Sequence, residues 1–176
     1  ASLAHSVQES LQESVERATL PLRPFYFELK PKIVRPGSTI TLTWQIDPEV
    51  AAGLSAEKLA VEIRLPAALQ AVGLESSGGV IVYPLDRNQG EIALLAGECQ
   101  EEVAQVNLAI LFGGESREEQ TLLAACDADL VSEKSGGLAS GLKGQVQVEF
   151  PANALVEPVD VAILPLDDSD PAINAP

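Results

Sequence analysis

Methionine is missing from the 176-residue chain, histidine occurs once, and aromatic residues amount to 4% with a single tryptophan. Each scarcity excludes a class of chemistry. His5 is the lone imidazole, so a Ser-His-Asp or Cys-His pair would need the N-terminal segment folded onto the body of the chain, which no pattern supports. No Cys/His cluster has zinc-ligand spacing. The stretches SSGG, FGG and SGG lack the helix and lysine of a phosphate-binding loop and read as turns. An enzyme is therefore not expected, and no catalytic residue or cofactor is assigned. Sugar-binding sandwiches present exposed aromatic rings; with Trp44 placed in a core, only Phe25, Tyr26 and Tyr83 are candidates here.

Positive charge is also short. Lys and Arg number 11 against 26 Asp and Glu, for a formal net charge of −15. Such a surface repels phosphate, so neither nucleic acid nor an anionic membrane is an expected partner. No stretch approaches the roughly 20 apolar residues of a membrane span, and membrane insertion is not expected. The first residues lack a basic region followed by an apolar one, so no signal peptide is read there. With no Met even at position 1, the expectation is a processed product or a piece of a longer protein.

What is present is a β pattern. Apolar residues make up 46%, enough for a core. Residues 1–24 stand apart: Leu3, Val7, Leu11 and Val15 recur at spacing four, a narrow helical stripe that Pro21 and Pro24 stop. The segment is either a helix packed on the body or a frayed linker, or a helix that docks on a neighbouring subunit or domain. From Phe25 the period becomes two. In STITLTWQI, Ile40, Leu42, Trp44 and Ile46 share one face and the threonines the other, as in a half-buried antiparallel strand. PEVAAGLSAEKLA reads as a loop with a helical turn. LAVEIRLP, VIVYPL, GEIALLAG and EEVAQVNLAILFGG read as further strands, and EEQTLLAAC as the hairpin partner of the last. Short strands with turn signals at roughly ten-residue spacing predict an all-β antiparallel sandwich over residues 25–131.

Residues 132–176 read as a Ser/Gly-rich linker (SEKSGGLASG) followed by a C-terminal strand pair. In GQVQVEFPANALVEPVDVAILPL, Val146, Val148 and Phe150 alternate with polar residues, as do Val159, Val161 and Ile163 after a break. This is a hairpin-like pattern that lies on the first domain as extra strands, pairs with another molecule, or begins a second domain.

The order KIVRPGSTITLTWQI, LAVEIRLPAALQAVG, GEIALLAGE and a long alternating strand resembles the immunoglobulin-like conserved-repeat domains of bacterial surface proteins over about residues 28–127. Those domains often end the second strand on Asn, where this chain has QIDPEV. GQVQVEFPANALVEPVDVAIL is similar to the Gly-x-Val-x-Val-x-Phe-Pro-x-x-Ala-Leu stretch of Rhs (YD-repeat) proteins, and to the start of a domain shared by ankyrins and netrin receptors. There Gly usually stands where this chain has Asn153, the next best residue for a left-handed backbone. The resemblance implies a modular extracellular or cell-surface protein whose domains space, present or adhere, without enzymatic activity.

Two candidate sites remain. Asp167, Asp168 and Asp170 cluster as a weak calcium site without EF-hand spacing; the alternative is a solvated acidic tail. Cys99 and Cys126 bracket the long hairpin. With its turn near Gly114, position 99 falls opposite about 130, so a disulfide needs a bulge or a loop adjustment; unbonded thiols are the alternative. Glu101, Glu102, Glu115, Glu118 and Glu119 are expected to blunt sheet edges. The leading expectation is a non-enzymatic structural or interaction module with a protein partner or self-association. The alternatives are a subunit that self-assembles by strand or helix donation, and a calcium- or glycan-binding module.

Overall fold

A computed structural model describes residues 24–53 and 58–167. The helical segment expected over residues 1–24 falls, but for Pro24, outside them, as do Asp168 and Asp170.

The period-two segments form two four-stranded antiparallel sheets packed into an all-β sandwich. The first contains Phe25–Lys30 (β1), Thr39–Ile46 (β2), Gln89–Ala96 (β6) and Leu69–Ala71 (β4), in the order β1-β2-β6-β4. The second contains Val80–Pro84 (β5), Leu59–Arg64 (β3), Val103–Phe112 (β7) and Glu115–Ala125 (β8), in the order β5-β3-β7-β8. A short helix, Pro48–Gly53 (α1), links β2 towards β3. Seven of these strands follow the order of a constant-type immunoglobulin sandwich, with β5 added at the edge of the second sheet.

Alternation decides what is buried. Phe27, Leu29, Ile40, Leu42 and Leu94 from the first sheet meet Val61, Ile63, Val106, Leu108 and Ile110 from the second, all essentially inaccessible to water. Burying each such side chain contributes roughly 1.5–3 kcal/mol against leaving it exposed. Trp44 sits between the sheets, its ring 5.3 Å from that of Tyr83 at an interplanar angle of 60°. Its cross-strand partner is Gly90, and a methyl there would lie inside the indole's van der Waals surface. Gly90 thus leaves the space that the indole fills.

The sandwich is closed along one side by β1 and the segment that leaves its end. Gln120 on β8 points inward, and its Nε2 donates to the Phe25 carbonyl at 3.0 Å. After a cis Lys30–Pro31 peptide the chain crosses to the second sheet. There Ala125 donates to the Lys32 carbonyl at 2.8 Å, and Val34 donates to the Ala125 carbonyl at 2.7 Å.

Beyond Ala125 the structure departs from the sequence expectation. The strands Val146–Phe150 (β11) and Val159–Val161 (β12) do not pair with each other. β11 pairs with Gly137–Gly141 (β10), and β12 pairs with Asp129–Val131 (β9). The stretch 132–141 that reads as a linker therefore contains a strand, and β9, expected to end the sandwich, belongs to the terminal unit. The reason lies in the turns. Leu142, Lys143 and Gly144 take three successive positive φ values of 53°, 58° and 77°, and this reverses β10 directly into β11. Between β11 and β12, Asn153 takes φ 62° and its N–H donates to the Glu133 carbonyl at 2.9 Å, which folds that connection back towards the end of β9.

Glycine is a packing requirement at Gly141 in β10 and at Gly136 just before it. A Cβ at Gly141 would collide with Ile163, one at Gly136 with the Phe150 carbonyl, and Gly137 lies against Val131. Val131 and Ala139 are fully buried within this small unit. A Gly90→Ala variant is expected to lose about 1–3 kcal/mol by overpacking against Trp44. Urea unfolding followed by tryptophan fluorescence measures it, with the midpoint lowered and the slope unchanged.

Candidate functional site

The terminal unit, β9 to β12, meets the sandwich at the end of β8, and several of its attachments answer an unmet need of the backbone. Cys126 follows the last residue of β8. Its N–H donates to the Glu102 carbonyl at 2.9 Å, and its sulfur is bonded to Cys99, with the two Cα atoms 5.7 Å apart. The loop adjustment is the one that brings the two together. Residues 97–102 leave the ladder before β7 begins, carrying Cys99 back to position 126, whereas the β7–β8 register shift at Ile110/Leu111 moves the ladder partner of position 99 one residue further from 126.

Three carboxylates complete the junction. Glu102 accepts the Lys143 N–H with both oxygens, at 2.8 and 3.0 Å, and so holds the tip of the left-handed turn between β10 and β11. Charge-assisted bonds of this kind are about twice as strong as neutral ones. Asp160 on β12 pairs with Arg35, which lies just beyond the crossing into the second sheet. Asp167 accepts the Leu123 N–H on the outer edge of β8 at 3.3 Å and lies 3.5 Å from Lys32 Nζ. Its side chain is only 4% exposed.

Asp167 therefore sits at a sheet edge as a cap, where the sequence offers it as a calcium ligand. Its two sequence companions lie outside the described residues, and among the described residues no group of three or more His, Cys, Asp or Glu is arranged to hold a metal. Another carboxylate at the junction, Glu102, is expected from sequence to blunt an edge and instead clamps a turn 41 residues away. No sequence signal marks that role, because the contact forms only once β10 and β11 have folded.

The terminal unit carries a second feature. Its two short sheets face each other across the small residues of β10, so Ala139 is fully buried. The covering stops there. On the same face of the ribbon, Val146 and Val148 of β11 remain 38% and 41% exposed. Leu138, Leu130 and Val156 add exposed apolar surface in the same unit. The sandwich offers nothing comparable on β5, where Val82 is the one large apolar side chain left exposed. An open groove at the junction is lined by Ile33, Val34, Pro36, Leu130 and the Arg35–Asp160 pair.

Comparison of the chain with protein-family models, with curated proteins and with solved structures gives no match. The site is therefore described by its own geometry: a braced junction that presents a half-covered strand.

Removing the braces one at a time measures their contribution to stability. Replacing both cysteines by alanine is expected to cost about 3–4 kcal/mol, because the bond closes a loop between residues 27 apart. Denaturant unfolding of the oxidised protein and of the double variant measures the difference. Asp167→Ala is expected to cost about 1–3 kcal/mol, since it leaves the Leu123 amide without its acceptor. Lys32→Ala should cost under about 1 kcal/mol, because that lysine is partly in water.

Proposed function

We propose that the chain is a non-enzymatic structural and interaction module of a bacterial secreted or cell-surface protein, acting in spacing, adhesion or assembly. The observation that carries this reading is the junction. A disulfide, a carboxylate clamp on a strained turn, an ion pair and an edge cap all hold the terminal unit to the sandwich. Bracing of this density suits a module that presents a surface in a fixed orientation and withstands load. The disulfide supports an oxidising compartment, where such bonds persist. The acidic surface favours solubility and disfavours nucleic acid.

The motif order that resembles conserved-repeat and Rhs-type surface proteins supports the same reading. Within it, assembly through the terminal unit is favoured over calcium or glycan binding. The half-covered β11 is a protein-sized feature, whereas Asp167 is engaged with Leu123 and Lys32.

The test is direct. Titration calorimetry with calcium and a glycan array should give no heat and no hits. Limited proteolysis should leave the sandwich and the terminal unit joined as one resistant body under oxidising conditions, with cleavage near residues 126–129 after reduction. Saturable calcium or glycan binding would replace this reading with the ligand-binding one.

A further inference from the structure

Sheet edges are templates for adding strands, and this molecule protects several of its own. β4 is three residues long, and β5 ends on Pro84. β8 carries a register shift and acidic residues along its first half, then the Asp167 cap and the Lys32–Val34 crossing along its second. The outer edge of β10 is covered too, since the Ser140 N–H donates to the Asp129 carboxylate at 2.8 Å.

β11 is treated differently. Val146–Phe150 contains no proline, lysine or bulge, and among the described residues β10 is its only strand partner. Its apolar side chains point to the face that β9 and Ile163 cover over β10, but that cover ends before it reaches them. An open backbone edge and an uncovered apolar stripe therefore coincide on one five-residue strand.

We infer that β11 is a self-complementary strand-addition site whose occupant is β11 of a second copy of this chain. The inference rests on the assembly reading above and names its partner. Register and charge identify that partner. Antiparallel pairing of VQVEF with itself over its whole length is centred on Val148. That register places Val148 opposite Val148 of the other copy, and Val146 opposite Phe150. All of these lie on the apolar face. On the opposite face Gln147 meets Glu149, so a carboxylate faces an amide donor and never another carboxylate. The two ribbons become one four-stranded sheet, and the exposed valines of each copy cover those of the other. Opposing this is the charge of −15 on each chain, which salt screens. Dimerisation is therefore expected to tighten as salt rises, the opposite of binding to a basic partner.

Light scattering across low to high micromolar concentration, at low and high salt, is expected to show a monomer–dimer equilibrium that shifts to dimer with salt. Val148→Lys sets two like charges opposite each other and should weaken the dimer by about tenfold or more. Gln147→Lys creates two cross-strand pairs with Glu149 and should tighten it roughly threefold, a gain that a merely structural role would not produce. Val148→Cys should form a disulfide-linked dimer on mild oxidation, whereas Gln147→Cys, which does not face itself, should not. Circular dichroism of each variant checks that the sheets are retained; both positions lie on the surface, so unaltered spectra are expected.

A monomer under all conditions overturns the inference, as does a dimer indifferent to Val148→Lys with no Val148→Cys cross-link. In that second case the assembly reading survives on another surface. Association that weakens with salt, seen only with an added basic peptide, overturns the second copy as occupant. Calcium or glycan binding overturns the functional reading independently of the oligomeric state.

Discussion

The backbone groups on the outer edge of β8 need partners that no ninth sandwich strand supplies. The rest of the molecule is arranged around meeting that need. Ala125 is satisfied on both sides by the crossing segment after β1, and Leu123 is satisfied by Asp167 from the far end of the described chain. An unpaired buried amide costs about 1–3 kcal/mol, comparable to losing a methyl-sized piece of core, so these bonds are strong constraints on where the chain can go. They bring residues near 32, 125 and 167 to one place. With Cys126 already bound to Cys99, the start and end of the terminal unit are both fixed there.

The interior follows a different logic. It is built by interdigitation of two alternating faces, and one large ring, Trp44, is accommodated by removing a side chain opposite it at Gly90. The terminal unit solves the same problem in reverse. Its centre is made of small residues, so that Val131 and Ile163 can close on β10. Large-into-small packing in both places explains why glycines occur on flat strands as well as in turns. It also explains why the small unit buries so little beyond β10: a two-stranded ribbon has one covered half and one uncovered half, and β11 is the uncovered one.

Much of the sandwich was legible because a half-buried antiparallel strand writes its burial into the chain at period two. Ile40, Leu42, Trp44 and Ile46 are inward as their alternation requires, as are Ala104, Val106, Leu108 and Ile110. β4 escaped notice because three residues cannot display a period. β10 escaped for a more instructive reason. Gly-Leu-Ala-Ser-Gly has the composition of a flexible linker, yet the glycines serve close approach, and composition alone cannot separate the two uses. The clamp at Glu102 and the cap at Asp167 were unreadable, since each joins residues 41 or 44 positions apart through a single hydrogen-bonding site.

By itself, then, the sequence determined the class of the molecule. Period-two alternation specifies an all-β sandwich, because that property is local along the chain. Only the tertiary structure decided how the terminal strands pair. Alternation says which face of β11 or β12 is apolar, but it is indifferent to the partner strand. That choice was made by turns of positive φ at Leu142–Gly144 and Asn153, and by the space over the β10 glycines. The result is a strand, Val146–Phe150, that is folded on one side and open on the other.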